Sequence, residues 1–82
     1  MLVDKTVQKI KKSCKIEFSG YSLCCWELFI GDYIIEVMSN GGTNEVASLS
    51  TRHKKSGHQR FFSSVKKIID FINKGIDKIN LI

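Results

Sequence analysis

The sequence predicts an α+β domain in which an N-terminal and a C-terminal helix flank a three- to four-stranded antiparallel sheet, in the order α-β-β-β-(β)-α. Three observations carry this prediction. Apolar residues recur at helical spacing near both ends of the chain, they alternate with polar residues in the middle, and Gly31-Asp32 separates two alternating segments. The 82 residues suit one small domain, residues 1–82, and the 43% apolar content argues against wholesale disorder.

The first helix is predicted from about Asp4 to Ser13, with Asp4 as its N-cap. Its lysines concentrate towards the C-terminal end, where the helix dipole favours positive charge. Its buried face is a narrow stripe at helical spacing, made of Val3, Val7, Ile10 and Cys14.

Period-two alternation predicts the strands. A first strand covers Cys14 to Ser19, and Ser19-Gly20 is interpreted as a turn. Residues 23–30 and 33–38 form the best-defined hairpin, joined at Gly31-Asp32. After a loop at 39–44, residues 45–52 are only weakly apolar and are expected near an edge, and residues 59–62 are expected to extend briefly.

The predicted sheet has two apolar faces. Cys24, Trp26, Leu28 and Ile30 alternate with other residues and are expected to face the helices. The opposite face carries Glu27 and Glu36 among several large apolar side chains, and it is too apolar to be left in water. A homodimer through this second face is therefore the hypothesis for its remaining apolar residues, Leu23, Phe29, Ile34 and Met38.

The second helix is expected to begin at Ser63 or Ser64, either of which can cap it. Gly75 is expected to end it in the left-handed conformation, with a contact between Phe71 and Ile76, and the tail at 77–82 to dock as a short strand. Phe61 and Phe62 are expected to anchor this helix to the sheet. Its apolar stripe comprises Val65, Ile68, Ile69, Ile72 and Ile76.

The beginning of the chain lacks the apolar segment of a signal peptide, and no apolar run approaches the roughly 20 residues of a membrane span. We therefore expect a cytoplasmic protein with no membrane contact. In that compartment the three cysteines are predicted to be free thiols.

No arrangement of residues predicts catalysis, so we expect a protein that is not an enzyme and needs no cofactor or small-molecule substrate. A zinc site is disfavoured because the neighbouring cysteines Cys24 and Cys25 would point to opposite faces of a strand. The same two thiols lie in an acidic, apolar block, which does not suit a nucleophile. The zinc hypothesis would use Cys14, Cys24, Cys25, His53 and His58.

Charge is unevenly distributed along the chain, whose net charge is +5. Residues 16–51 contain five acids and no Lys or Arg, and a basic run follows. This run and the start of the next helix could contact phosphate, which predicts binding to nucleic acid or a nucleoprotein complex. The predicted patch is Arg52, Lys54, Lys55, Arg60, Lys66 and Lys67.

Two alternatives stay open for these charges. The run could be a solvated loop between a strand and a helix, whose lysines only keep a small protein in solution. The protein could instead be a protein-binding adaptor or inhibitor that uses the apolar sheet face or an exposed strand edge.

A further pattern runs from Trp26-x-Leu28-x-Ile30 through Leu49-x-Thr51-x-His53 and Arg60-x-Phe62-x-Ser64-Val65 to Phe71-Ile72 and Gly75-Ile76. This pattern resembles that of short plasmid-borne partition-associated proteins, called ParC-like, over about two-thirds of the chain. The resemblance implies a small, non-catalytic accessory factor of a mobile element such as a plasmid or phage. The lysine-rich N-terminal segment lies outside the shared pattern.

Overall fold

The computed structural model describes the backbone of residues 1–80 and the side chains of residues 1–74. Its elements in chain order are helix α1 (Val3–Ser13), strands β1 (Phe18–Ser22), β2 (Cys25–Ile30), β3 (Tyr33–Ser39), β4 (Val46–His53) and β5 (Gln59–Phe62), and helix α2 (Val65–Asn80). The strands form one antiparallel sheet in the order β1-β2-β3-β4-β5. The α+β class is confirmed, with one strand more than the upper number predicted.

Both helices pack on the same face of the sheet, which we call the covered face. Its residues include Trp26, Leu28, Ile30, Ile35, Val37, Leu49, Thr51, Arg60 and Phe62, as the cross-strand register shows. The predicted stripes of both helices, as far as Ile72 in α2, meet this face in one core. The assignment of Trp26, Leu28 and Ile30 to the helix side is confirmed, whereas that of Cys24 is wrong, because Cys24 lies in the turn before β2. The fully or nearly fully buried core residues include Val7, Ile10, Leu28, Ile35, Val37, Ile68 and Ile72.

The opposite side of the sheet, which we call the open face, has no element packed on it in the described chain. Alternation along the paired strands assigns to it Phe18, Cys25, Glu27, Phe29, Ile34, Glu36, Met38, Ser50, Arg52, Gln59 and Phe61. Three large apolar side chains are well exposed here: Phe18 at 65%, Met38 at 44% and Phe61 at 67%. The predicted role of Phe61 as a helix anchor is therefore wrong, whereas Phe62 packs against Phe71 of α2 as expected.

The start of α1 is capped by a distant loop. The predicted N-cap at Asp4 is wrong, because the helix begins at Val3 and Leu2 precedes it without a side-chain cap. Asn44 supplies the acceptors instead: its backbone oxygen accepts from the Val3 N–H at 2.9 Å, and its Oδ1 accepts from the Asp4 N–H at 3.3 Å. Asn44 thus satisfies amides that would otherwise lack a partner.

Helix α2 starts as predicted and ends later. Ser64 caps it, since its Oγ accepts from the Lys67 N–H at 3.3 Å. The predicted end at Gly75 is wrong, because the helix continues to Asn80; a glycine inside a helix costs only about 1 kcal/mol relative to alanine. The expected Phe71–Ile76 contact lies outside the described side chains. The predicted strand in the tail is helix up to Asn80, and Leu81 and Ile82 lie outside the described residues.

The first hairpin turn does not lie where the sequence predicts it. Ser19 and Gly20 are inside β1, which begins only at Phe18, and the chain reverses at Leu23 and Cys24. Both residues have positive φ, 50° and 62°, as a two-residue hairpin turn of type I′ requires. Leu23 is 94% exposed at this tip and so does not belong to either sheet face.

The prediction for the second hairpin is confirmed, and the prediction for the position of β4 is wrong. The predicted turn at Gly31-Asp32 is confirmed, and Gly31 has the positive φ that favours glycine. Strand β4 was expected near an edge, but it lies between β3 and β5, and the edges are β1 and β5. No helix within the described residues is long and apolar enough to cross a membrane.

Candidate functional site

The six predicted phosphate-contacting residues do not form one continuous surface. Arg52 lies on the open face, whereas Arg60 lies on the covered face, because Arg52 pairs with Gln59 and Thr51 pairs with Arg60. Lys54 and Lys55 occupy the turn between β4 and β5, and Lys66 and Lys67 lie in the first turn of α2. A flat polyanion that contacts one face of the sheet would reach only part of this set.

Arg52 is bound to carboxylates of its own sheet. Its Nη2 lies 3.3 Å from Oε2 of Glu27 and 3.5 Å from Oε2 of Glu36. These two glutamates face each other directly across β2 and β3, so their like charges would repel without a cation between them. Arg52 therefore has a structural explanation, and we remove it from the candidate site.

Neutral side chains extend this polar network towards β5. The amide nitrogen of Gln59 donates to Glu36 Oε1 and to Ser50 Oγ, both at 3.3 Å. Ser50 is 2% exposed and lies 3.5 Å from the same Glu36 oxygen. The centre of the open face is thus polar, with one arginine shared by two glutamates, while the exposed aromatic residues of this face lie towards the two edge strands.

The β4–β5 turn is held by backbone and imidazole contacts. The Lys54 N–H donates to the Asp32 carbonyl at 2.8 Å, and Lys54 Nζ lies 5.5 Å from the centroid of the Phe29 ring. His53 Nδ1 accepts from the backbone N–H groups of Lys55 and Ser56, each at 3.3 Å. Hydrogen bonds therefore fix the backbone of this turn, which is not an unconstrained loop. The Lys55 side chain is exposed to solvent.

The basic residues near α2 have separate surroundings. Arg60 places its guanidinium carbon 5.2 Å from the ring centroid of Phe71, a cation–π arrangement. Lys67 Nζ donates to Ser63 Oγ at 3.0 Å. Lys66 is exposed beside the start of α1, which the sequence could not place next to it.

The net positive charge belongs to the helices and not to the sheet. Helices α1 and α2, which we call the helix layer, contain eight basic and three acidic residues. The strands and loops contain five of each sign, so the entire net charge of +5 lies in the helix layer. The lysines of the first helix were visible in the sequence, but only the packing of both helices on one face combines them with those of the second.

The two helices lie side by side and run in the same direction. A groove of about 420 Å³ brings Lys5, Thr6 and Lys9 of α1 next to Ser64 and Lys66 at the start of α2. At the other end, the Asn73 amide donates to the Ser13 carbonyl at 3.5 Å. Lys5, Lys9 and Lys66 therefore line one groove, and no carboxylate lines it among the described residues.

The cysteines are free thiols, as predicted. Burial raises the pKa of the Cys14 thiol. Burial also raises the pKa of Cys25, and the carboxylates of Glu36 and Glu27 raise it further against a lowering effect of Arg52. Within the described residues, no three His, Cys, Asp or Glu side chains are grouped to hold a metal ion.

Comparisons with known proteins do not assign the chain to a family. No family model matches it, and neither a curated protein nor a solved structure matches it at a significant level. The resemblance to ParC-like proteins therefore stays a prediction, and function has to be argued from the residues of this chain.

Proposed function

We propose that this protein is a non-enzymatic accessory protein that binds nucleic acid, alone or in a nucleoprotein complex, through the helix layer. The observation that carries the proposal is the separation of charge between the two layers. The helix layer holds the whole net charge of +5, whereas the strands and loops are neutral. Lysines that neutralise phosphates release counterions, and this release supplies most of the affinity in binding without sequence preference.

The groove between the helices gives this charge a location. Lys5, Lys9 and Lys66 line it, and the N-terminal amides of α2 lie at its edge. Backbone amides at a helix start and lysine side chains both interact favourably with phosphate oxygens. Lys67, from the predicted set, lies one residue further along the same helix turn, and Lys54 and Lys55 are secondary contacts at the far hairpin.

A salt titration tests the proposal. Anisotropy of a labelled duplex and of a labelled single strand would be measured at about 50 mM and about 200 mM salt, and four phosphate contacts predict a loss of affinity of about a hundredfold between them. Absence of binding at the lower salt concentration would refute the proposal. Salt-independent binding would refute the role given to phosphate contacts.

A second candidate function rests on the open face. Phe18, Met38 and Phe61 expose large apolar surfaces there, and β1 and β5 leave their outer backbone edges unpaired within the described chain. Such a face suits a protein partner, including a second copy of the chain in a homodimer. Size-exclusion chromatography with light scattering measures this directly, and a strict monomer at micromolar concentration would exclude the homodimer.

The biological setting is proposed on the resemblance alone. An accessory role on a plasmid or phage and a cytoplasmic location agree with a small nucleic-acid-binding protein. The genes that flank this one would test the setting, and a neighbourhood without replication or partition functions would argue against it.

A further inference from the structure

A second concave site lies on the covered face, beneath the β4–β5 turn. It encloses about 380 Å³, within the range of about 300–1,000 Å³ typical of small-ligand pockets. Three elements bound it: the sheet supplies the floor, the turn supplies one wall and α2 supplies the other. Its lining residues are Tyr33, Thr51, His53, Ser56, His58, Arg60 and Phe71.

Every polar side chain that lines this pocket can donate a hydrogen bond, and no carboxylate lines it within the described part of the chain. The Nδ1 atom of His53 accepts from two backbone N–H groups, so in the neutral ring the proton is on Nε2, which can donate. Arg60 makes no ion pair among the described residues. The Phe71 ring holds its guanidinium in place, so Arg60 can offer N–H groups without first giving up a carboxylate.

The pocket also has rigid aromatic walls. Tyr33 contacts His53 edge-on at 5.2 Å and Phe71 edge-on at 5.5 Å between ring centroids, and Phe62 packs against Phe71 at 5.4 Å. These contacts fix Tyr33 and His53, and they hold the Phe71 ring that lies against Arg60. A preorganised set of donors around a cavity favours an anion with several acceptor oxygens.

We propose that this pocket binds a phosphate monoester, either that of a free mononucleotide or the 5′-terminal phosphate of a nucleic-acid strand. A monoester offers three terminal oxygens to Arg60, the two histidines and the hydroxyls, whereas a carboxylate offers two. An internal phosphodiester, like a carboxylate, offers only two terminal oxygens. The strand-end form rests on the proposed function, and the mononucleotide form does not.

Paired oligonucleotides test the proposal. Two single strands with a 3′ label and identical sequence would differ only in a 5′-phosphate or a 5′-hydroxyl. The proposal predicts about tenfold tighter binding of the phosphorylated strand. Arg60→Gln should abolish this ratio, and His58→Gln, at an exposed position, should reduce it. Lys55→Gln is the matched control, because it removes one positive charge from the adjacent turn and should weaken both strands equally. Thermal unfolding by circular dichroism would confirm that each variant folds.

Imidazole NMR signals of His53 and His58 provide a second readout with inorganic phosphate and with adenosine monophosphate. Shifts with both ligands, together with the strand preference, support the strand-end site. Shifts without any oligonucleotide binding support a mononucleotide site and refute the nucleic-acid function. Equal binding of both strands with unmoved imidazole signals overturns the pocket and leaves the nucleic-acid function standing. A preference that survives in Arg60→Gln also overturns the proposed site.

Discussion

The helix layer and the open face of the sheet differ in whether their basic residues have acidic partners. In the helix layer, lysines such as Lys5, Lys9 and Lys66 line a groove that has no carboxylate among the side chains the structure describes. On the open face, Arg52 is ion-paired with both Glu27 and Glu36. A basic residue therefore indicates a binding surface only when the fold leaves it without an acidic partner. This criterion removes Arg52, and the helix layer is the better candidate for phosphate because it holds the whole net charge of +5.

The largest expected effect is a difference in stability between a substitution on the covered face and one on the open face. Leu28→Ala removes a fully buried side chain and should lower the free energy of unfolding by about 2–5 kcal/mol. Phe61→Ala on the open face should cost less than about 1 kcal/mol, because the ring is 67% exposed. Urea unfolding of both variants measures the difference. Similar losses would mean that the open face is covered in solution, as it would be in a homodimer.

A stabilising change is expected at the first hairpin, which lies outside both surfaces. Leu23 and Cys24 adopt positive φ, which costs residues other than glycine about 1–3 kcal/mol each. Leu23→Asn with Cys24→Gly supplies the residues that type I′ turns prefer and should raise the free energy of unfolding by about 1–2 kcal/mol. Thermal unfolding measures it. A decrease would show that Leu23 is packed against something in solution.

The ion pairs of the open face should contribute less. Arg52→Gln leaves Glu27 and Glu36 facing each other and should destabilise the protein by about 0.5–1 kcal/mol, a small value because the arginine side chain is 40% exposed. Adding Glu27→Gln should recover most of the loss, since one carboxylate no longer needs a cation. If Arg52→Gln also weakened nucleic-acid binding as much as helix-layer variants do, our removal of Arg52 from the site would be wrong.

The smallest effect concerns the thiols and serves as a test of burial. Burial raises the pKa of Cys14 and Cys25, so both should react with iodoacetamide at least about tenfold more slowly than an accessible thiol at about pH 8. Peptide mass spectrometry after timed alkylation would show Cys24 modified first. The raised pKa values also mean that the unfolded chain loses these protons at lower pH. The free energy of unfolding should therefore fall as the pH rises through the thiol range. Equal labelling of all three cysteines would contradict this description of the core.

The elements that the sequence predicts well are those set by local pattern. The stripes of both helices, the Ser64 cap and the Gly31-Asp32 turn each follow from residues close in sequence. The cap of α1 cannot be predicted from neighbouring residues, because its acceptor Asn44 is 40 residues away in the sequence. The Leu23–Cys24 turn cannot be predicted in this way either, because neither residue type favours positive φ. The position of the turn depends on the pairing of β1 with β2 along their whole length.

The candidate site was predicted only in part, for a reason of register. Residues 52 and 60 lie on opposite faces because the β4–β5 turn pairs Arg52 with Gln59, and a shift of one residue would have placed them together. The groove between the helices depends on their relative direction, which no pattern within either helix contains. The lysines were visible in the sequence, but their surroundings were not.

One comparison of binding tests the central claim most directly. Lys5→Glu with Lys9→Glu changes the helix layer, and Lys54→Glu with Lys55→Glu changes the turn by the same net charge. Titration of a labelled duplex at low salt should show a loss of at least about tenfold more affinity for the helix-layer variant than for the turn variant. Equal losses, or a greater loss for the turn variant, would contradict the assignment of the nucleic-acid interface to the helix layer.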